Sequence, residues 1–268
     1  MRGHLESLRA AVLAALAAAL VAAFVVGPRA LAALGPGGGF DDERELSAAL
    51  GAEFPGYWRS GGRDLPPGLE RAVDYWFRYH VAKAVFAALL LIVLVALGVL
   101  LWRAFLRGGR GLFLAPAGVV VVALGLFATV ALMANIQGAA APFASALPML
   151  VSGGEPAGAL DQARQALAGV ESGGKRIPPP LAGMISDFAR FHLVLAVVAA
   201  VLAVALAGVS VASWRRFATT DRRARRVVGS FGVLTAVTSA VLMIVVVANA
   251  GTAADPAPAL LAFFDGGW

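Results

Sequence analysis

Hydrophobic positions in this chain fall mainly in long unbroken runs, not in strict alternation or in narrow stripes. Five runs, Ala10–Val26, Ala84–Trp102, Gly111–Ala134, Phe191–Trp214 and Val227–Ala248, carry no acidic or strongly basic residue near the middle. A helix of about 20 apolar residues crosses the hydrocarbon core of a bilayer. Helices also satisfy their own backbone donors and acceptors where no water can. The pattern therefore predicts an all-α integral membrane bundle of about five transmembrane helices.

Between the runs the pattern changes to stripes. In Ser152–Ser172, Leu160, Ala163, Leu167 and Val170 share one helical face, with Asp161, Arg164 and Gln165 on others. Leu46, Ala49 and Leu50 form a shorter stripe after Asp41–Glu43, whose acids suit the positive end of a helix dipole. Pro66-Pro67 and Pro178–Pro180 fit the first turns of the next helices, where an amide donor is not needed. Leu69, Val73 and Trp76, like Leu181, Ile185 and Phe188, carry a stripe into the second and fourth runs. A small extracytoplasmic helical cap follows. Three ladders of small residues, Ala10/Ala14/Ala18/Ala22, Ala199/Ala203/Ala207 and Gly232/Ala236/Ala240, predict close contact between spans.

Cationic residues orient the runs. Arg2 and Arg9 precede the first. Arg103, Arg107 and Arg110 separate the second and third, and Arg215, Arg216, Arg222, Arg223, Arg225 and Arg226 the fourth and fifth. These clusters share one side of the membrane, the cytoplasm by the positive-inside rule. The expected placement is a bacterial plasma membrane, with the N-terminus cytoplasmic and the C-terminus extracytoplasmic. The start of the chain also fits a cleavable leader ending at Ala30-Leu31-Ala32. Pro28 and Arg29 intervene, and a retained anchor is the favoured expectation.

Composition agrees. The 268 residues are 60% hydrophobic and 14% charged, against about 45–50% and 25% in soluble domains. The net charge of +6 reports topology and attraction to anionic lipid, so no nucleic-acid partner is expected. The absence of cysteine excludes disulfides, thiolate catalysis and zinc–thiolate sites.

The chain also repeats itself. Ser60-Gly61-Gly62-Arg63 recurs as Ser172-Gly173-Gly174-Lys175, an offset of 112. Leu65-Pro66-Pro67 matches Ile177-Pro178-Pro179, Arg78-Tyr79-His80 matches Arg190-Phe191-His192, and Trp102-Arg103 matches Trp214-Arg215. At offset 114, Ala134-Asn135 pairs with Ala248-Asn249 and Pro142 with Pro256. One membrane domain over 1–268 is expected, with a tandem parallel repeat over about 10–110 and 111–226 and a truncated third unit over 227–268. Matching helices would be related by a pseudo-twofold axis along the membrane normal, and proline would stand at span ends, at Pro28, Pro116, Pro142 and Pro256.

His80 and His192 hold equivalent positions at the outer ends of two spans. A facing pair could ligate haem, making an electron carrier, although no cofactor is the favoured expectation. Alternatively each belongs to an interfacial belt with Tyr75, Trp76, Tyr79 and Phe188. Asn135 and Asn249 read chiefly as stops at span ends, or as ligand contacts with Gln137. Arg78, His80, Asn135, Arg190, His192 and Asn249 are the candidate outer-face contacts. The Ser-Gly-Gly turns are either flexible turns or small anion nests. The outer acids Asp41, Asp42, Glu43, Glu45, Glu155 and Asp161 match no nucleophile–base or metal template, and no metal site is expected. A mid-span charge for a proton relay is also missing from the sequence.

The segment Gly56–Pro67, Asp74–His80, Ala134–Pro142 and the ending Ala253–Trp268 resemble a family of small multi-pass membrane proteins of high-GC bacteria. That family has no assigned activity, and some members carry a label for a twin-arginine export signal. Here no adjacent arginine pair precedes the first apolar run. The resemblance implies an integral membrane protein. The expected function is non-catalytic: an accessory or scaffold subunit engaging a membrane or extracytoplasmic protein through its external helices. A passive channel or small-molecule carrier along the pseudo-twofold axis is the alternative class.

Overall fold

The computed structural model describes residues 2–107, 111–152, 157–171, 176–220 and 222–267. Among them the chain forms helices and turns, with no strand. The helices are α1 (Arg2–Ala33), α2 (Glu43–Ser60), α3 (Pro67–Leu106), α4 (Gly111–Ala140), α5 (Pro142–Ser152), α6 (Ala157–Glu171), α7 (Pro179–Phe217), α8 (Arg222–Ala254) and α9 (Pro256–Phe264). Five of these, α1, α3, α4, α7 and α8, are long and apolar enough to cross a membrane. The protein is thus an all-α, multi-pass integral membrane protein.

Two compact units are distinguished, each assembled from three separated stretches. The first comprises residues 1–27, 83–134 and 197–246. Its packed interior is small: Ala17 of α1, Leu90, Val93, Leu94 and Leu97 of α3, and Val121 and Ala128 of α4. Large apolar side chains such as Ile92, Phe127, Val204 and Ile244 stay exposed, as side chains facing lipid do. Ser210 Oγ donates to the Gly232 carbonyl at 2.8 Å, and Ser239 Oγ to the Ala203 carbonyl at 2.9 Å. Both bonds join α7 to α8. Of the two ladders predicted here, Ala199, Ala203 and Gly232 are buried, which lets these backbones approach, whereas Ala207, Ala236 and Ala240 are exposed. The predicted ladder on α1 is not the contact line. Ala10 packs against the core, but Ala14, Ala18 and Ala22 are exposed, and Leu13, Ala17 and Leu20 meet the core in their place. The packed face carries Ala10, Leu13, Ala17 and Leu20, while Leu8 and Leu16 on other faces of α1 stay exposed.

The second unit comprises residues 28–82, 135–196 and 247–268. Here most of both predicted stripes is buried: Leu46 and Leu50 on α2, Ala163 and Leu167 on α6, with Ala49 and Leu160 packed beside them and Val170 only half-buried. α2 packs on α5 and α6, and α6 on α9. Leu69, Val73, Leu181 and Phe188 join the same core. The proline pairs stand where expected, with α3 opening at Pro67 and α7 at Pro179. Asp42 caps α2, accepting the Glu45 amide at 2.8 Å, while the Asp41 amide donates to Glu45 at 2.5 Å. This reciprocal arrangement is a form of capping box.

Three helix ends differ from the sequence expectation. α1 runs through Pro28 to Ala33, placing Ala30–Ala33 in helix. A proline removes one donor, and the following turn is held because Ala32 is fully buried. Pro116 lies near the start of α4, and Pro142 and Pro256 open α5 and α9, as expected of prolines at span ends. α4 and α8 continue past Asn135 and Asn249 to Ala140 and Ala254. Neither asparagine caps its helix.

Candidate functional site

Two histidine–asparagine pairs lie in the second unit. His80 Nδ1 of α3 is 3.0 Å from Asn135 Oδ1 of α4, and His192 Nδ1 of α7 is 2.7 Å from Asn249 Oδ1 of α8. An amide oxygen only accepts, so each ring donates its Nδ1–H. Those contacts explain why the asparagines are not stops: a neighbouring helix satisfies the side chain, and the backbone continues as helix.

Aromatic rings brace each imidazole. Trp76, one turn earlier on α3, meets His80 edge-on with centroids 4.6 Å apart; Phe188 holds the same relation to His192 at 4.6 Å. Tyr79 lies 5.9 Å from His80, and Phe191 lies 5.5 Å from His192. Residues four apart on a helix are neighbours, which brings Trp76 and Phe188 onto their histidines. The two pairs differ in their rings, Trp76 and Tyr79 against Phe188 and Phe191, and in the residue that follows each asparagine by three, Gly138 against Thr252. A methyl group at Gly138 would stand 2.6 Å from His80 Cε1 and Nε2, whereas one at Gly251, two residues after Asn249, would meet nothing within 4 Å.

The tautomer set by the asparagines places the remaining lone pair of a neutral ring on Nε2. That atom would ligate a metal or accept a proton. At His80 it is packed against Gly138. Among the described residues no group of three or more His, Cys, Asp or Glu side chains is placed to hold a metal ion.

The candidate arginines bind within the protein. Arg78 Nε donates to the Ala32 carbonyl at 2.9 Å, and its Nη2 to the Pro36 carbonyl at 3.2 Å. It thereby satisfies the C-terminal end of α1, where a cation also suits the dipole. Arg190 lies 3.5 Å from Asp187. The first Ser-Gly-Gly turn is a helix stop, with Gly61 left-handed at φ 67° as the C-cap of α2. Its second copy, 172–175, lies outside the described residues, as do Arg110 and Glu155.

Two functional groups of this unit carry no sequence motif. Asp187 accepts the Ala144 amide at 2.8 Å, and Tyr57 OH donates to the Pro180 carbonyl at 2.8 Å. Asp187 is the lone acid in the stretch 172–220, three residues before Arg190, and that spacing is the one signal the sequence offered. Tyr57 is 1% exposed. Burial raises its pKa to about 12, with the Asp187 carboxylate adding to the rise. A neutral phenol is favoured by folding, so this contribution is intact below pH 10 and is lost as pH rises through 12. The expected difference titration between the native chain and Tyr57→Phe is a single phenol ionising near pH 12. Ionisation near pH 10 would show that Tyr57 is not held in this burial.

No family model matches the chain, and neither does any curated protein or solved structure.

Proposed function

We propose that this protein is a non-catalytic accessory or scaffold subunit of a bacterial plasma membrane, engaging a protein partner through the helices of its second unit. The observation that carries this reading is a cleft of about 510 Å³ holding both signs of charge, lined by Arg29, Asp42, Glu43, Arg44, Ser47, Ala48 and Met149. Arg29, Asp42, Glu43 and Arg44 stand exposed there, at the end of α1 held by buried Pro28 and Ala32 and at the start of α2 held by buried Leu46 and Leu50. A mixed ionic surface on rigid elements suits recognition of a protein with complementary charge. Other polar groups of the unit, at Arg78, Asp187 and the two histidine–asparagine pairs, tie helices together. The cytoplasmic arginine clusters support an extracytoplasmic placement of this cleft.

A tandem duplication is part of the same proposal. Its support is the recurrence of one arrangement, an imidazole donating to an asparagine and braced by aromatics four and one residues earlier, at both repeat positions.

Photo-crosslinking in native cells tests the partner reading, using a photoreactive residue at Ala48 and, as a lipid-facing control, at Val201. The expected result is one defined protein adduct from position 48, absent from 201 and abolished by Arg44→Glu. Lipid adducts alone at both positions would overturn the reading.

A further inference from the structure

We infer that the first unit carries a specific site for an anionic diacyl phospholipid, built around Arg225 and Arg226. An apolar cavity of about 980 Å³ is lined by Trp102, Phe105, Phe217, Phe231 and Leu234, with both arginines in its wall. A second groove of about 550 Å³, lined by Trp214, Val233 and Val237, includes the same two arginines and Ser230. The cavity and the groove thus meet along one wall, formed by Phe217, Leu234, Ser230 and the two arginines. The complementary ligand has two hydrocarbon chains joined at one anionic head.

The charge balance points the same way. Arg225 is held in place, with its guanidinium 5.5 Å above the Phe217 ring and Nη2 donating to the Thr220 carbonyl at 3.1 Å. Guanidinium groups present fixed donor forks matched to phosphate oxygens. Acids are scarce in this unit. Glu6 is paired with Arg107 at 2.6 Å, and Asp221 lies outside the described residues. Basic pockets between spans bind anionic lipid heads through this combination of charge and hydrocarbon. A lone fatty chain would leave one groove unfilled, and a zwitterionic head would bring its own cation to the arginines.

The test is native mass spectrometry of the full chain in mild detergent, titrated with phosphatidylglycerol or with phosphatidylcholine of the same acyl chains. One phosphatidylglycerol molecule should remain bound under conditions that strip phosphatidylcholine. The double variant Arg225→Gln/Arg226→Gln, which keeps much of the aliphatic stem, should weaken retention about tenfold. Val119→Trp, which projects a ring into the larger cavity without altering charge, should weaken it as well. Circular dichroism and size exclusion establish that each variant folds. Equal retention of both lipids, or phosphatidylglycerol binding unmoved by either variant, overturns the inference and leaves non-specific lipid contact.

Discussion

Gly138→Ala is expected to destabilise the protein by about 1–3 kcal/mol, the usual cost of overpacking an interior site. The sign is the informative part, because glycine-to-alanine exchange within a helix otherwise gains about 1 kcal/mol. The added methyl would stand 2.6 Å from Cε1 and Nε2 of His80 and 2.7 Å from Nδ1. Comfortable carbon contacts lie near 3.5–4.0 Å. The ring has little freedom to yield, with Trp76 at its edge and Nδ1 tied to Asn135. Moving it breaks that bond and leaves the buried Asn135 amide to find another partner. Thermal unfolding in mild detergent measures the loss. Two further variants isolate the cause. Gly251→Ala, facing open space, should be neutral or stabilising. In a His80→Ala background, Gly138→Ala should turn from destabilising to neutral or better. If it costs the same with and without the imidazole, the ring is not the obstacle and the role given to Gly138 is wrong.

The parts of the fold legible in the sequence are those written in one dimension. Continuous apolar runs mark spans, because a bilayer tolerates little else. Pro67 and Pro179 mark helix starts, since the first turn lacks an acceptor for their missing N–H. Leu46, Leu50, Ala163 and Leu167 mark buried faces, because each lies on a stripe opposed by charge. The histidine–asparagine pairs were only half legible. Each partner stood out because a like residue recurs 112 or 114 positions along the sequence, yet the pairing joins residues 55 and 57 apart, and neither separation is set by helix geometry. Asn135 reads as a stop because an asparagine ending an apolar run commonly is one. Recognising it as an interhelical acceptor requires knowing that α3 supplies the donor. The ladder on α1 failed for the opposite reason: alanine is so frequent there that every face offers small residues.

Asp187→Ala is expected to cost about 1–3 kcal/mol and to act first on α5, a helix it does not belong to. The first amides of any helix lack internal acceptors. In α5, Pro142 contributes no N–H, and the Ala144 amide is satisfied at 2.8 Å by Asp187 Oδ2 from α7. The carboxylate is 15% exposed, so water is a poor substitute, and Arg190 stands 3.5 Å away. Without it, the opening turn of α5 holds an unsatisfied donor and loses a favourable charge at its dipole end. Fraying there should propagate, because Ala144, Ala146, Leu147 and Leu150 all enter the core that also takes Leu46 and Leu50 of α2. Hydrogen exchange therefore offers a sharper readout than global stability. In Asp187→Ala, amides 144–147 should exchange faster than in the unaltered chain, and by a larger factor than those of α6, which shares the core but is not capped by this carboxylate. Asp187→Asn keeps an acceptor while losing the charge, and its cost should fall to about 0.3–1 kcal/mol. Arg190→Gln should cost less than Asp187→Ala, since the guanidinium is mostly exposed and such pairs contribute little. Unchanged exchange at 144–147 in Asp187→Ala would mean that another group holds α5. The ordering Ala above Asn would instead show that the acceptor, more than the charge, joins α7 to α5.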